Sequence, residues 1–139
     1  MTLYNGSCHC GAIQIRLDSP KQPDQMRVGR CACSFCRRHG ARTMGDPASS
    51  VEFRTASKDL IRYRFGLGIT DYLLCARCGA YVGAVMQDDG RSIGIVNVNS
   101  LDMRDVFDAA PPLHDYDGED EEHRRLRRRK FWMPATVIA

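Results

Sequence analysis

The sequence has no long hydrophobic run and few aromatic residues. Aromatic side chains make up 8% of its 139 residues, and there is a single tryptophan. No apolar stretch approaches the roughly 18 residues that a membrane-spanning helix needs, so no membrane segment is predicted. The first residues lack a basic stretch followed by an apolar one, so we expect no signal peptide. A cytoplasmic protein is predicted, and structural disulfides are rare in that reducing compartment.

A large net charge of either sign is also absent. Twenty Lys and Arg residues stand against 17 Asp and Glu, which leaves a formal charge of +3. Such a balance does not predict a general attraction to nucleic acid or to a membrane surface. The apolar fraction of 43% is instead near the value for globular proteins. We therefore expect one domain over residues 1–139.

Alternating apolar and polar residues predict a mostly β fold with few short helices. Asp89-Gly90 is a typical hairpin turn, and Ser34–His39 is a candidate helix that Gly40 would close in the left-handed conformation. Along residues 60–65 we expect Ile61, Tyr63 and Phe65 to share one packed face. The predicted strands are 12–18, 25–30, 51–54, 60–65, 71–74, 80–86 and 92–98.

The C-terminal part of the chain carries charges in two blocks. Residues 115–122 are mainly acidic and residues 123–130 are mainly basic, so the two blocks can neutralise each other. Opposite charges four residues apart favour a helix here, at Asp120–Arg124 and Glu121–Arg125. We expect the segment 115–130 to pack back or to stay partly exposed, with Trp132 as a core anchor.

Seven cysteines in three tight clusters are the strongest signal in the chain. An odd number cannot form a closed set of disulfides. Tight spacing suits zinc, because the ion needs its ligands on a small tetrahedron. If all seven thiolates hold two Zn²⁺ ions, the two sites offset the formal charge of the chain. The clusters are Cys8 and Cys10, then Cys31, Cys33 and Cys36, then Cys75 and Cys78.

The two cysteine pairs predict one closed site. Four sulfurs from Cys8, Cys10, Cys75 and Cys78 would complete the coordination of one zinc ion and tie the start of the chain to its middle. Such a site is structural, because no position is left for a substrate.

The cysteine triplet leaves three interpretations open. Three thiolates from Cys31, Cys33 and Cys36 would leave one zinc position free, as in catalytic sites. His39 could instead be the fourth ligand of a closed site. The Cys-x-x-Cys pair within the triplet could also act as a redox dithiol. Arg37 and Arg38 directly follow the triplet and could bind a substrate carboxylate.

Three motifs together resemble one known family, the glutathione-dependent formaldehyde-activating enzymes, whose domain centromere protein V shares. The motifs are Gly6–Gly11 (GSCHCG), Cys31–Arg38 (CACSFCRR) and Leu74–Gly79 (LCARCG). The resemblance covers roughly residues 3–110, and the late Lys130-Phe131-Trp132 is similar to a common C-terminal feature of the family.

The resemblance implies an Mss4-like fold of small antiparallel sheets held by structural zinc. It implies two zinc ions per chain, with a structural ion on the four-cysteine site and a catalytic ion on Cys31, Cys33 and Cys36. The implied activity is that of a carbon–sulfur lyase, S-(hydroxymethyl)glutathione synthase, with glutathione and formaldehyde as partners.

Two other functions remain as alternatives. The first is a non-catalytic zinc module that carries glutathione or another thiol. The second is nucleic-acid binding through the basic block 123–130, against which the preceding acidic block argues. Among the histidines, His9 is expected at the surface and His114 in an ordinary loop. The sequence predicts no oligomeric state.

Overall fold

The computed structural model describes all residues, 1–139, and shows a mostly β chain with two α-helices. This confirms the expected fold class. The helices are α1 (Ser34–His39) and α2 (Glu121–Phe131). The strands are β1 (Thr2–Ser7), β2 (Gln14–Ser19), β3 (Val28–Cys31), β4 (Thr43–Met44), β5 (Ser50–Arg54), β6 (Leu60–Tyr63), β7 (Asp71–Cys75), β8 (Tyr81–Asp88), β9 (Arg91–Asn97), β10 (Leu113–His114) and β11 (Met133–Ile138).

Strand β9 is the junction of the sheet. It pairs with β8, β4 and β11. The strand order along the main path is β1-β2-β5-β11-β9-β4-β3-β10. A branch leaves β9 through β8 and continues to β7 and then β6. All pairs are antiparallel except β10 with β3 and β11 with β5. The β8–β9 hairpin turns at Asp89 and Gly90, whose φ angles are 51° and 76°. This confirms the turn predicted from the Asp-Gly dipeptide.

The last strand, β11, was not predicted, and it holds two parts of the sheet together. Met133 pairs with Gly94 of β9, whereas Ala135–Ile138 run parallel to β5. The crossing needs a glycine, because a Cβ atom at Gly94 would lie 2.8 Å from the Cβ of Ala135. A parallel partner 84 positions away along the chain leaves no local sequence pattern, so only long-range pairing reveals this strand.

The two helices begin and end at residues that cap them. Gly40 closes α1 with φ 57°, as predicted. Helix α2 starts later than residue 115, because Asp120 is its N-cap and accepts a hydrogen bond from the His123 amide. The expected Asp120–Arg124 pair is therefore wrong, and Arg124 binds Glu119 at 2.9 Å instead.

The predicted packed face on strand β6 is wrong for two of its residues. Ile61 is 46% exposed and Tyr63 is 48% exposed, because β6 lies at an edge and pairs only with β7. Other side chains fill the core. The main hydrophobic cluster contains Leu17, Phe53 and Leu73, all fully buried, together with Cys8 and Cys75.

Neither helix has the length and apolar composition that a membrane-spanning helix requires.

Candidate metal centres and active-site cavity

The fold brings together the two cysteine pairs that are far apart in sequence. The sulfur atoms of Cys8, Cys10, Cys75 and Cys78 all lie within 4.8 Å of one another. The Cys8–Cys10 and Cys10–Cys75 sulfur distances are 3.7 and 3.6 Å. A tetrahedral site with Zn–S bonds of about 2.3 Å requires sulfur separations of about 3.8 Å. The donor set and its spacing therefore fit one zinc ion.

Backbone amides and burial act in opposite directions on the thiols of Cys8 and Cys78. Burial raises the pKa of Cys8 to about 12. At Cys78 burial also opposes ionisation, but backbone N–H groups of Ala80 and Cys10 donate to the sulfur and the pKa falls to about 6. Four thiolates in contact repel one another, so a cation is needed before all four can ionise.

The cysteine triplet is assembled locally, where strand β3 runs into helix α1. Cys31 ends β3, Cys33 is the N-cap of α1, and Cys36 lies inside the helix. Their three sulfurs also lie within 4.8 Å of one another. The Cys36 amide donates to the Cys33 sulfur at 3.3 Å, so the helix terminus itself orients this ligand.

The three thiols of the triplet compete for protons. Hydrogen bonding with Cys31 is the largest cause in two cases, since it lowers the pKa of Cys33 and raises the pKa of Cys36. Hydrogen bonding with Cys33 raises the pKa of Cys31. Three thiolates at this spacing therefore fit a divalent cation, and their number is that of an incomplete zinc shell.

The structure separates His39 from this triplet. No histidine nitrogen belongs to the group of ligand atoms within 4.8 Å. The His39 ring instead packs on Phe35, with ring centroids 4.6 Å apart, and on Tyr81 at 5.6 Å. In this conformation His39 is not a fourth ligand. The seven cysteines form no disulfide.

Phe35 fixes the position of the short helix that carries the triplet. It lies between two of the cysteines, and its ring contacts aromatic residues of three strands and their loops. Six residues form too short a helix to be stable alone, so this packing holds α1 in place. The neighbouring rings are Tyr63, Phe65, Tyr72 and Tyr81, at centroid distances of 5.7, 5.3, 4.9 and 4.9 Å.

A cavity of about 240 Å³ lies beside the triplet. Cys31 and Cys36 form part of its wall, and the cysteines of the four-sulfur group do not. The remaining wall comes from β3, from the β8–β9 region and from the C-terminal helix. Its polar and aromatic lining residues include Arg27, Arg30, Tyr72, Tyr81, His114, Tyr116, Arg127, Arg128 and Trp132.

Tyr81 places an unused hydroxyl group next to the triplet. Its ring packs with Cys36, and the side chain lines the cavity. The Tyr81 hydroxyl is buried and has no hydrogen-bond partner. Burial raises the pKa of Tyr81 well above its usual range, so the hydroxyl stays protonated and can donate. Most buried hydroxyl groups are satisfied, so this one suits an acceptor on a ligand.

Several lining residues were missed or misjudged from the sequence. His114 is not in an ordinary loop, because it pairs with Cys31 through strand β10 and faces the cavity. Trp132 is a core anchor as predicted, packed with Ala84 and Met86, but it also lines the cavity. The only sequence feature that could have indicated the cavity wall was the basic block 123–130. A run of charged residues normally predicts an exposed surface, so it did not indicate a cavity. His9 is exposed, as predicted.

The arginines next to the triplet in sequence lie elsewhere. Arg37 and Arg38 are exposed on α1 and do not line the cavity. Arg38 donates to the Ser34 carbonyl at 3.1 Å. Their predicted contact with a substrate carboxylate stays a prediction.

Most arginines of α2 are already paired with carboxylates. Arg124 and Arg127 bind Glu119 at 2.9 Å. Arg129 binds Asp88 at 2.6 Å, and Arg125 binds both Asp88 and Glu121. The acidic block thus supplies only part of the expected neutralisation, and Asp88 of β8 supplies the rest. This pairing removes most of the free charge that phosphate binding would use.

Comparison with known proteins places this geometry in a family. The family described as glutathione-dependent formaldehyde-activating enzyme matches residues 3–118. The chain belongs to the glutathione-dependent formaldehyde-activating enzyme family. The match includes all seven cysteines, and helix α2 and strand β11 lie beyond it. Both cysteine groups of this family member are therefore built within the shared part of the fold.

A solved structure supports the family fold. The chain is similar to the crystal structure of a Rhodobacter sphaeroides protein, with 29% sequence identity and a TM-score of 0.59. The similarity covers 79% of this chain and 99% of that chain. The family fold thus accounts for most of the chain, while its C-terminal segment adds part of the cavity wall.

Proposed function

We propose that this chain is a zinc-dependent carbon–sulfur lyase that forms and cleaves adducts between a thiol and an aldehyde. The observation that carries the proposal is the position of the cysteine triplet at the wall of the cavity, where Cys31 and Cys36 line it. The family name adds glutathione as the thiol and formaldehyde as the aldehyde.

In this proposal the chain holds two zinc ions with different tasks. Cys8, Cys10, Cys75 and Cys78 would hold a structural ion, and the triplet would hold a catalytic one. When bound to three thiolates, zinc keeps a position free for a substrate thiol and lowers the pKa of that thiol. The triplet ligands would be positioned by β3 and by the N-terminus of α1.

The reaction needs one new bond and one proton. The substrate thiol loses its proton to solvent, its sulfur attacks the aldehyde carbon and a C–S bond forms. The carbonyl π electrons move to the oxygen, which takes a proton back from solvent. Tyr81 would donate a hydrogen bond to this oxygen while negative charge develops on it. The cavity walls would hold the two reactants together and limit access of water.

The arginines of α1 have a separate place in this proposal. Arg37 and Arg38 are exposed beside the triplet. They would contact a carboxylate of a peptide thiol where the thiol extends out of the cavity. Such an exposed ion pair would contribute little binding free energy.

The test is exchange of the adduct at equilibrium. Zinc-loaded protein is mixed with glutathione and formaldehyde, and exchange between free and hydroxymethylated thiol is followed by NMR. We expect exchange faster than the uncatalysed rate, and the Cys33→Ser variant is expected to remove the acceleration. A protein that binds glutathione tightly without accelerating exchange would be a carrier, and this result would reject the enzymatic proposal.

A further inference from the structure

The wall of the cavity beside the triplet contains several arginines and no carboxylate. Arg27, Arg30, Arg127 and Arg128 contribute to its wall, and no aspartate or glutamate does. A guanidinium group stays charged at any accessible pH. Positive potential in a concave, partly apolar site attracts anionic ligands more strongly than the same charge on an open surface.

Arg128 differs from the other arginines of this wall in both burial and pairing. It is only 5% exposed, yet no carboxylate lies within ion-pair distance of it, although the other four arginines of α2 are all paired. Arg127 has Glu119 as its counterion. A buried charge without a counterion is costly, so natural proteins seldom keep one that has no use.

The contacts of Arg128 leave its buried Nε–H group without an acceptor. Nη1 donates to the Thr70 hydroxyl and lies 3.3 Å from the Met86 sulfur. The guanidinium carbon lies 4.1 Å from the centre of the Trp132 ring. The Nε–H group is buried and has no acceptor. The Tyr72 phenol is also a hydrogen-bond partner of Arg128, but it does not supply a negative charge, because burial raises the pKa of the phenol.

The Nε edge of the Arg128 guanidinium suits a carboxylate in particular. A planar carboxylate forms two parallel hydrogen bonds with one edge of a guanidinium group. Nη1 already contacts Thr70 and Met86. A small, flat acceptor therefore fits the Nε edge better than an anion that needs hydrogen bonds from all the guanidinium nitrogens.

We propose that Arg128 recognises a carboxylate group on the thiol substrate. The inference rests on the proposed function for the other end of the ligand, where the triplet would take the thiol. Cys36 and Arg128 line the same cavity, and the aromatic rings of Tyr72 and Trp132 also line it and would contact the connecting carbon chain. Because α2 lies beyond residues 3–118, the segment that selects the substrate is outside the part matched by the family.

The single tryptophan provides the measurement. Trp132 lines the cavity and touches Arg128, so its fluorescence should report ligand binding. Zinc-loaded protein is titrated with 3-mercaptopropionate and with 3-mercapto-1-propanol, which differ mainly in the carboxylate. We expect the acid to bind roughly tenfold to hundredfold more tightly, as charge-assisted hydrogen bonds do.

Two variants with the same charge change separate recognition from general electrostatics. Arg128→Met should abolish the preference for the acid, whereas Lys130→Met should keep it, because Lys130 is exposed and does not line the cavity. The melting temperature of Arg128→Met should be equal to or above that of the wild type, since a buried unpaired charge has been removed. A lower melting temperature with an unchanged preference would show a purely structural arginine and overturn the proposal. Arg128→Lys, which keeps the charge but not the planar fork, should retain only part of the preference.

Ligands without a thiol distinguish this proposal from the proposed function. Butyrate and 1-butanol are titrated in the same way. If the thiols bind no better than butyrate and butanol, but each acid still binds better than its alcohol in an Arg128-dependent manner, the thiol site fails and the carboxylate site stands. Equal binding of acid and alcohol in both pairs overturns the carboxylate site alone. Displacement by inorganic phosphate at lower concentration than by butyrate would assign the site to phosphate esters and also overturn the proposal.

Discussion

The four-cysteine group and the cysteine triplet use the same ligand atoms but are built in different ways. The first joins residues far apart in the chain, since Cys10 and Cys75 are 65 positions apart and their sulfurs are 3.6 Å apart. The triplet spans six consecutive positions at one strand-to-helix junction. The first group adjoins the main hydrophobic cluster, through Cys8 and Cys75, and the triplet adjoins the cavity.

This difference predicts which of the two cysteine groups the fold depends on. Closing a long loop with a metal stabilises the folded state, because it brings distant segments together only when the chain is folded. A triplet held within six residues closes no long loop, so an ion bound there would add little to the tertiary structure. Its local assembly instead places Cys31 and Cys36 at the wall of a cavity.

The largest expected effect is on folding, for Cys75→Ser. Cys75 is fully buried, and loss of its thiolate opens the four-sulfur site. A structural zinc ion contributes about 10–16 kcal/mol in small zinc domains, which is comparable to the whole stability of about 5–15 kcal/mol. We expect no cooperative thermal transition by circular dichroism. A variant that melts like the wild type would show that this group does not hold the fold.

The matched change in the triplet, Cys33→Ser, should spare the fold. Cys33 is the N-cap of α1, and serine is a good N-cap, so the helix keeps its capping group. We expect zinc to fall by one ion per chain, and the melting temperature to shift by no more than roughly 4 °C, which corresponds to about 1 kcal/mol. Metal analysis and circular dichroism measure both. Unfolding as complete as that of Cys75→Ser would abolish the distinction between the two groups.

A smaller effect, confined to catalysis, is expected for Tyr81→Phe. The lost hydroxyl has no partner within the protein, so its removal should not lower the stability. If it donates to the aldehyde oxygen, adduct exchange should slow roughly tenfold to hundredfold. The zinc content should be unchanged, which distinguishes this variant from Cys33→Ser. An unchanged exchange rate would remove Tyr81 from the reaction.

The smallest effect concerns the attachment of α2 and depends on pH. Arg127, together with Arg124, lowers the pKa of Glu119 to about 2, whereas an unfolded glutamate titrates near about 4.3. Because the folded pKa is the lower one, the stabilisation is complete above the unfolded pKa and is lost as the pH falls towards 2. In Glu119→Gln the melting temperature, followed by Trp132 fluorescence, should therefore fall less steeply across this range than in the wild type.

Glu122→Gln is the control for this measurement, because Glu122 is exposed in the same helix and forms no ion pair. Equal slopes for the Glu119 and Glu122 variants would show that the Glu119 ion pairs do not hold α2. Release of zinc in acid affects all three proteins alike, so the comparison of slopes isolates the carboxylate.

Local features of the chain could be predicted without the structure. The cysteine triplet, the Gly40 cap and the Asp89-Gly90 turn each depend on a few neighbouring residues, and the structure has all three where they were expected. The two cysteine pairs could be assigned to one group because zinc chemistry requires four ligands. The number of ligands that zinc requires thus predicted a contact between distant parts of the chain, which local sequence patterns normally do not predict.

Features that depend on distant contacts could not be predicted. Strand β11 forms only because β5 and β9 leave a place for it, and the basic block becomes part of a cavity wall only because β11 follows directly on Trp132 and joins the end of α2 to the sheet. The sequence by itself determined which residues could bind metal, since spacing and valence are local properties. Only the tertiary structure decided that Arg128 is buried without a counterion beside the triplet, because burial and pairing depend on which distant groups pack around a side chain.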